Sequence, residues 1–256
     1  MILYFSGTGN TKYVANLLAK ELDDVVIDLL TSIKDDKPVT FKSETPFVLC
    51  FPSYIMNIPV FIKKFLQNVT LEGSKYVYSV ITCASESGIA SLSIKEIVEN
   101  KGKTYYGNCD VVMANNYVVN TRFNSTPDNE IKFCIKEAKI DVKRIAMFIS
   151  NTHSFKLKKV SFVKKLMIKT VESVYVKTGQ SSEPFHNNGK CISCGKCVSL
   201  CHVNKIHFDA SKHPIWEKSC MHCMSCIGNC PVEAIDYGDV TQNKVKYSIE
   251  KYLTVK

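Results

Sequence analysis

The sequence predicts an α/β domain, a parallel sheet wrapped by helices, followed by a small cysteine-bound module. Three observations point there. Residues 1–150 alternate short apolar runs with amphipathic stretches, the pattern of parallel strands connected through helices. A turn rich in glycine and hydroxyl groups follows the first apolar run at residues 6–11. Eight of the 12 cysteines crowd into residues 191–230, in two copies of one spacing.

At 256 residues and 45% apolar content, the chain supports one full-sized core plus a smaller module. No run of ~18 or more apolar residues would span a bilayer. Residues 1–5 meet Gly7 without a basic region, a signal-length apolar stretch or a cleavage site, so a cytoplasmic protein is expected. A disulfide scaffold suits short secreted chains without a large core. The four remaining cysteines, Cys50, Cys83, Cys109 and Cys134, are scattered through apolar or helical stretches and read as reduced packing thiols. The sequons at Asn68 and Asn124 would matter only outside the cytosol.

In chain order, residues 1–5, 25–30, 46–51, 76–82 and 110–113 read as five strands. Tyr13, Val14, Leu17, Leu18 and Leu22 share one helical face. Val60, Phe61 and Phe65 share a second, and Ile94, Ile97 and Val98 a third. Residues 30–41 are polar and rich in Lys and Asp, which predicts a solvated loop. Residues 129–150 close the domain as a helix. The expected divisions are a sheet domain over 1–150, a basic connector and linker over 151–185, a cysteine domain over 186–240 and a tail over 241–256.

Within the connector, residues 155–177 interleave Lys156, Lys158, Lys159, Lys164, Lys165 and Lys169 with Phe155, Leu157, Val160, Phe162, Val163, Leu166, Met167 and Ile168. A basic amphipathic helix follows. The plain expectation is that its apolar stripe packs on the sheet domain and its lysines face water. Docking on an acidic partner or an anionic membrane surface is the other reading.

The cysteine module reads Cys191-x2-Cys194-x2-Cys197-x3-Cys201 and then Cys220-x2-Cys223-x2-Cys226-x3-Cys230-Pro231. A ligand at every third residue wraps three corners of a cubane, and the fourth cysteine is turned toward a neighbouring cluster. Two 4Fe-4S clusters are therefore expected, one on Cys191, Cys194, Cys197 and Cys230, the other on Cys220, Cys223, Cys226 and Cys201. Zinc sites do not call for a third cysteine at this spacing in both copies. Over roughly residues 186–240 the module resembles bacterial two-cluster ferredoxins. His202 stands where a proline is usual there, which bears on hydrogen bonding near one cluster rather than on ligation. Ile192, Val198, Ile206, Phe208, Ile215, Ile227, Val232 and Ile235 would shield the clusters, with Trp216 in the same packing.

The turn after the first strand carries Ser6, Gly7, Thr8, Gly9, Asn10 and Thr11. Backbone N–H groups at a helix start, glycines and hydroxyls suit a phosphate. A dinucleotide fingerprint would need a third glycine, where Lys12 stands, and a nucleotide-triphosphate loop would need a Gly-Lys-Ser/Thr ending. A terminal monophosphate is the better ligand. The loop resembles that of flavodoxins, which implies bound FMN beyond the C-terminal ends of the strands. On that resemblance the ring is lined by Pro52, Ser53, Tyr54, Ile55 and Met56 and by Cys83, Ala84, Ser85 and Gly88. Two readings stay open for Tyr54, stacking on the ring or capping its loop. Cys83 near the same spot is a packing thiol or has a covalent or redox role. Asn115, Asn116 and Tyr117 would border the flavin or the cluster module.

Flavodoxin-like doubly wound five-stranded parallel sheet, basic connector and small α+β two-cluster 4Fe-4S ferredoxin-like domain, in this order, resemble the flavodoxin–ferredoxin fusions called ferrodoxins. Ala114 departs from the proline expected in that family's Met-Pro-Asn-Asn-Tyr stretch. The formal charge of +9 would fall to about +3 with roughly −8 from eight thiolates, +4 from two cluster cores and −2 from a flavin phosphate. That balance points weakly to an acidic partner and, without any aromatic-basic recognition module, no nucleic acid is expected. The implied function is electron relay between two 4Fe-4S clusters and FMN, with a redox partner protein. One rival is an FMN-dependent oxidoreductase reducing a small organic acceptor near Ser85, Glu86, Tyr117 and Arg122. The other is a redox sensor docking a protein partner. No acid–base or nucleophilic residue is required for the relay.

Overall fold

A computed structural model describes residues 1–253. The chain divides into two compact units that are not contiguous in sequence. The first comprises Met1–Ser6, Asn10–Ala114 and Asn129–Glu172, the second Gly7–Gly9, Asn115–Asp128 and Ser173–Lys256.

In the first unit the strands and helices run β1 Ile2–Tyr4, α1 Asn10–Leu22, β2 Val26–Asp28, α2 Leu30–Asp35, β3 Val39–Ser43, β4 Phe47–Pro52 and α3 Val60–Asn68. Then come β5 Val69–Gly73, β6 Tyr76–Cys83, α4 Ala90–Glu99, β7 Thr104–Val112, α5 Asp128–Ser150 and α6 Phe162–Val174. Five strands pair in the order β2-β1-β4-β6-β7, all in parallel. The central strands are buried on both faces: Leu3, Leu49, Val80 and Ile81 are fully enclosed, as continuous apolar runs in a parallel sheet must be. Val14, Ala15 and Leu18 bury one stripe of α1, and Ile94 and Val98 one stripe of α4. All five strands are parallel, so their C-terminal ends share one edge, where ligands of open α/β sheets bind.

Three expectations are corrected. Residues 30–41 are not a loop: they form α2 and most of β3, and β3 pairs in parallel with β5 from Val39↔Val69 to Ser43↔Gly73. Of their few apolar side chains only Ile33 and Phe41 are buried, and the Lys and Asp residues between them hid the period-two alternation. The fifth strand spans Thr104–Val112 rather than 110–113. It is the sheet's edge, so its half-buried polar residues Asn108 and Asp110 broke the apolar run.

The connector departs most. Residues 155–160 form neither helix nor strand, with Phe155 N–H donating to Tyr106 O at 2.7 Å, and only Phe162–Val174 is α-helical before a π turn at Tyr175–Gly179. The apolar stripe of α6 does not pack on the sheet domain. Ile168 alone is buried, while Phe162, Val163, Leu166, Met167 and Val171 are exposed.

In the second unit β8 Phe185–Asn187 pairs with β11 Ile235–Tyr237, and β9 Ile206–Phe208 with β10 Pro214–Trp216, both antiparallel. Two short helices, α7 Lys196–Leu200 and α8 Ser225–Gly228, follow the cysteine loops, and α9 Glu250–Leu253 lies in the tail. Phe185, Ile206, Met224, Ile227 and Ile235 form the core with Val118 and Val119. The tail is anchored by lysines. Lys244 Nζ donates to the carbonyls of Val118, Asn120 and Phe123 at 3.0, 2.6 and 2.8 Å, and the enclosed Lys246 pairs with Asp236 at 2.9 Å. Among the described residues no helix is long and apolar enough to cross a membrane.

Candidate functional site

The two cysteine motifs fold alike residue by residue. Ser193 and Gly195 in the first, and His222 and Met224 in the second, take positive φ at matching positions of the loop. The alternation curls the backbone so that successive cysteines face one space. Ser193 N–H and His222 N–H each lie 3.4 Å from the first sulfur of their own loop, Cys191 Sγ and Cys220 Sγ. After the fourth cysteines the match continues. Asn204 and Glu233 both have positive φ, and the N–H groups of Lys205 and Ala234 donate to Cys201 Sγ and Cys230 Sγ at 3.3 and 3.2 Å.

Each loop closes on a cavity. One is lined by Cys191, Cys194, Cys197 and Cys230. The other is lined by Cys201, Cys220, Cys223 and Cys226. Three sulfurs in each come from one motif and the fourth from the other. Ile192, Phe208 and Ile235 wall the first, and Phe185, Ile206, Trp216 and Met224 the second. Burial pushes the Cys197 and Cys220 thiols up to about 11 and raises Cys223 and Cys226 as well. Thiolates in these cavities need a cationic centre to hold them. Four sulfurs, apolar walls and backbone N–H groups aimed at sulfur are the donor set a 4Fe-4S cluster takes.

The turn between β1 and α1 has buried donors. Gly7 and Thr8 are enclosed, and among the described residues their backbone N–H groups reach no acceptor. Orphaned N–H groups at a helix start fit a phosphate oxygen. The carbonyls of the turn point elsewhere: Asn229 Nδ2 donates to Gly7 O and Ile249 N–H to Thr8 O, both at 3.0 Å. Asn116 Nδ2 donates to Thr8 Oγ1 at 2.6 Å, which leaves that hydroxyl's proton available. Gly9 has φ +95°, and a Cβ there would strike Ile249. The side chains of Asn10 and Thr11 serve the sheet domain, Asn10 donating to Ala114 O at 3.0 Å and Thr11 Oγ1 lying 2.7 Å from Thr82 Oγ1. Ser6 is half-buried.

The profile of the 4Fe-4S binding domain matches residues 188–204 and 217–238. A ferredoxin of Pyrobaculum islandicum is 45% identical over 47 residues, which is 18% of this chain and 43% of that ferredoxin, so the chain spans under half the length of this relative. Similar solved structures include Megasphaera elsdenii flavodoxin (19% identity, 55% of this chain, 99% of that one, TM-score 0.32). A flavodoxin from the domain Archaea (16%, 57%, 97%, 0.32) and an azoreductase from Bacillus anthracis (9%, 57%, 97%, 0.36) are comparable. Such scores decide nothing about the sheet domain. Its strand order does: read as 2-1-3-4-5 along the five-stranded sheet, it is the flavodoxin order. The chain is a flavodoxin-like domain joined to a 4Fe-4S domain.

In the flavodoxin-like domain, Pro52 ends β4 and Ser53 N–H donates to Thr82 O at 2.8 Å. Tyr54 and Asn57 exchange backbone bonds at 2.7 and 3.1 Å across a two-residue turn. The residues inside that turn, Ile55 and Met56, have φ of 51° and 59°. Such turns favour Asn-Gly, and each side chain held there costs roughly 1–3 kcal/mol. No residue type at these positions signals this strain in the sequence. Gly88, φ +60°, lies against the same turn, where a Cβ would meet Met56 O. Cys83 is buried at the end of β6, and burial, then the charge of Asp110, pushes its thiol up to about 12. Ala84 and Ser85 are exposed beside it. Burial works upward on Asp110 too, but hydrogen bonds from Ser87 N–H, Lys158 and Asn108 outweigh it and hold this carboxyl below the usual range.

The 4Fe-4S domain carries a polar network that sequence reasoning missed. His222 Nε2 lies 2.7 Å from Ser181 O, so that nitrogen bears the proton and Nδ1 accepts. The hydroxyls of Tyr117 and Tyr175 stand 3.1 and 3.3 Å from Nδ1 and 2.5 Å from each other. Burial lowers the His222 pKa, consistent with a neutral ring. Trp216 Nε1 is buried with no partner at bonding distance among the described residues, yet it lies near enough to Cys226 to favour the thiolate. The enclosed His202 lines the same cavity. Tyr117, Tyr175 and His222 are 105 residues apart at the extremes, and no periodicity links them.

Proposed function

We propose that this protein is an electron-transfer protein, with one 4Fe-4S cluster in each cysteine cavity and FMN anchored by its phosphate at the turn after β1. The observation that carries the reading is the exchange of fourth cysteines between the two cavities. Among the described residues no three His, Cys, Asp or Glu side chains converge on a single ion, so the sulfurs surround a volume, as a cluster requires, rather than a point, as zinc requires. Bound cofactors would supply one-electron chemistry from each cluster and one- or two-electron chemistry from the flavin.

The chain's own residues have three tasks. The backbone N–H groups of Ser193, His222, Lys205 and Ala234 stabilise charge on sulfur, and the apolar walls keep water away. Gly7 and Thr8 N–H groups hold the phosphate, with the carbonyls of that turn kept aside by Asn229 and Ile249. Cys83, held as a thiol, stays out of the redox chemistry.

Anaerobically purified protein should contain about eight iron and eight sulfide per chain and one FMN. Cys230→Ala should release the cluster of the first loop, and Cys201→Ala that of the second, each leaving about four iron. Cystines, zinc or absent flavin would overturn the reading. Stepwise reduction should bleach the clusters and reduce the flavin together, and a flavin reduced as fast without clusters would overturn the relay.

A further inference from the structure

Helix α6 is amphipathic the wrong way round. Two of its polar residues face the body of the flavodoxin-like domain: Glu172 is clamped by Lys63 at 2.7 Å and by Asn57 at 3.2 Å, and Lys164 pairs with Glu86 at 2.8 Å. Ile168 is the one buried apolar side chain between them. These contacts fix the helix's rotation. At 100° per residue, Phe162, Val163, Leu166, Met167 and Val171 then fall within half of the circumference, all pointing to solvent, with exposures from 50% at Val171 to 78% at Phe162. Contiguous apolar surface of this kind on a soluble domain marks a binding face.

Charge identifies what binds there. Residues 155–171 contain six lysines and no acid. Two of those lysines, Lys158 and Lys164, are spent on Asp110 and Glu86. Lys156, Lys159, Lys165 and Lys169 form no ion pair among the described residues. Lys165 and Lys169 stand one turn apart on the flank beside Phe162 and Leu166. A second copy of the chain would set these lysines against their own kind. The occupant is therefore anionic. An acidic protein is the weaker fit, since interface cores favour Tyr, Trp and Arg and are poor in Lys, whereas this face is aliphatic apart from Phe162 and the exposed Thr170, is convex, and is rimmed by lysine. A lipid surface needs no shape complementarity. Aliphatic side chains enter the acyl boundary while lysine stems reach back to phosphate headgroups.

We propose that α6 is a membrane-surface anchor, lying in the plane of an anionic leaflet with Phe162, Val163, Leu166, Met167 and Val171 inserted. Short-lived rather than permanent association is expected from one helix of 13 residues. The proposal stands apart from the cofactor assignment.

Full-length holoprotein should sediment with phosphatidylcholine vesicles containing about one-third phosphatidylglycerol, less so as salt rises, and not with phosphatidylcholine alone. The double variant Lys165→Gln, Lys169→Gln should lower partitioning about 25-fold, at about fivefold per lysine. Leu166→Glu with Met167→Glu should abolish it, and Leu166→Phe should keep it. All four positions lie outside the core, and the unchanged visible spectrum of the holoprotein reports folding. Equal binding to both vesicles overturns the proposal, as does full binding by the lysine variant. A wild-type dimer in solution that Leu166→Glu makes monomeric overturns it in favour of a second copy. Absence of binding to either vesicle overturns it in favour of an acidic protein.

Discussion

Replacing Lys246 by methionine removes one charge from a pair enclosed at the base of the 4Fe-4S domain, with side chains 5% and 4% exposed and 2.9 Å between Nζ and Asp236 Oδ1. Asp236 would keep the hydrogen bonds from Asn188 Nδ2 at 2.6 Å and Thr241 Oγ1 at 2.9 Å but lose its counter-charge. The Glu233 carbonyl would lose the Nζ donor at 2.9 Å. Stranding one buried partner in this way costs about 3–5 kcal/mol. Native-state hydrogen exchange at the β11 amides measures the opening free energy without requiring reversible cluster loss. Exchange there should quicken by roughly a hundredfold to several thousandfold at pH 7. Burial alone would raise the Asp236 carboxyl, but the hydrogen bonds from Lys246, Asn188 and Thr241 and the charge of Lys246 outweigh it, so its folded pKa is lowered. A lowered carboxyl stabilises the fold above its unfolded pKa of about 3.9, and that stabilisation disappears as pH falls through the folded value. The deficit of Lys246→Met should therefore shrink below about pH 4. Replacing both partners by apolar residues of similar volume should cost far less than either single change. A change in exchange under about fivefold in the single variant would refute this account of the tail's anchorage.

Four further outcomes are expected. Gly88→Ala, whose methyl would meet Met56 O at φ +60°, should destabilise the flavodoxin-like domain by about 1–3 kcal/mol in urea titrations and weaken flavin retention; an unchanged midpoint would contradict the clash. Cys83, its thiol near 12, is only about one part in ten thousand thiolate at pH 8, so mass-spectrometric mapping after mild alkylation should find it unmodified in folded protein and modified once denatured. Trp216→Phe removes the sole tryptophan and a buried N–H near Cys226, and redox titration followed by electron paramagnetic resonance should show the potential of only one cluster falling. Asn229→Ala frees the Gly7 carbonyl, so equilibrium dialysis should find weaker FMN binding while iron and sulfide contents hold.

The cysteine repeat was legible because ligand spacing is a local property. Equal numbers of residues between cysteines produce equal backbone curls, down to paired positive φ at Ser193 and His222 and at Gly195 and Met224. The five-stranded sheet was legible for a related reason, since strands buried on both faces must be apolar throughout. Residues 30–41 were not, because two buried apolar side chains, Ile33 and Phe41, on either side of a run of lysines and aspartates carry too little periodicity to outweigh composition. The strained Ile55–Met56 turn was invisible as well, since those residue types ordinarily argue against positive φ.

By itself, the sequence determined which residues were candidates for iron and phosphate, the places of the strands β1, β2, β4 and β6, and that one helix carries both lysines and an apolar stripe. The tertiary structure alone decided which way that helix turns, because ion pairs from Lys63 and Glu86, distant in the chain, fix its rotation. It alone joined Gly7–Gly9 to Asn229 and Ile249 and set Lys246 on Asp236. Such pairings depend on which surfaces meet after the chain has folded, and local residue spacing carries no information about that.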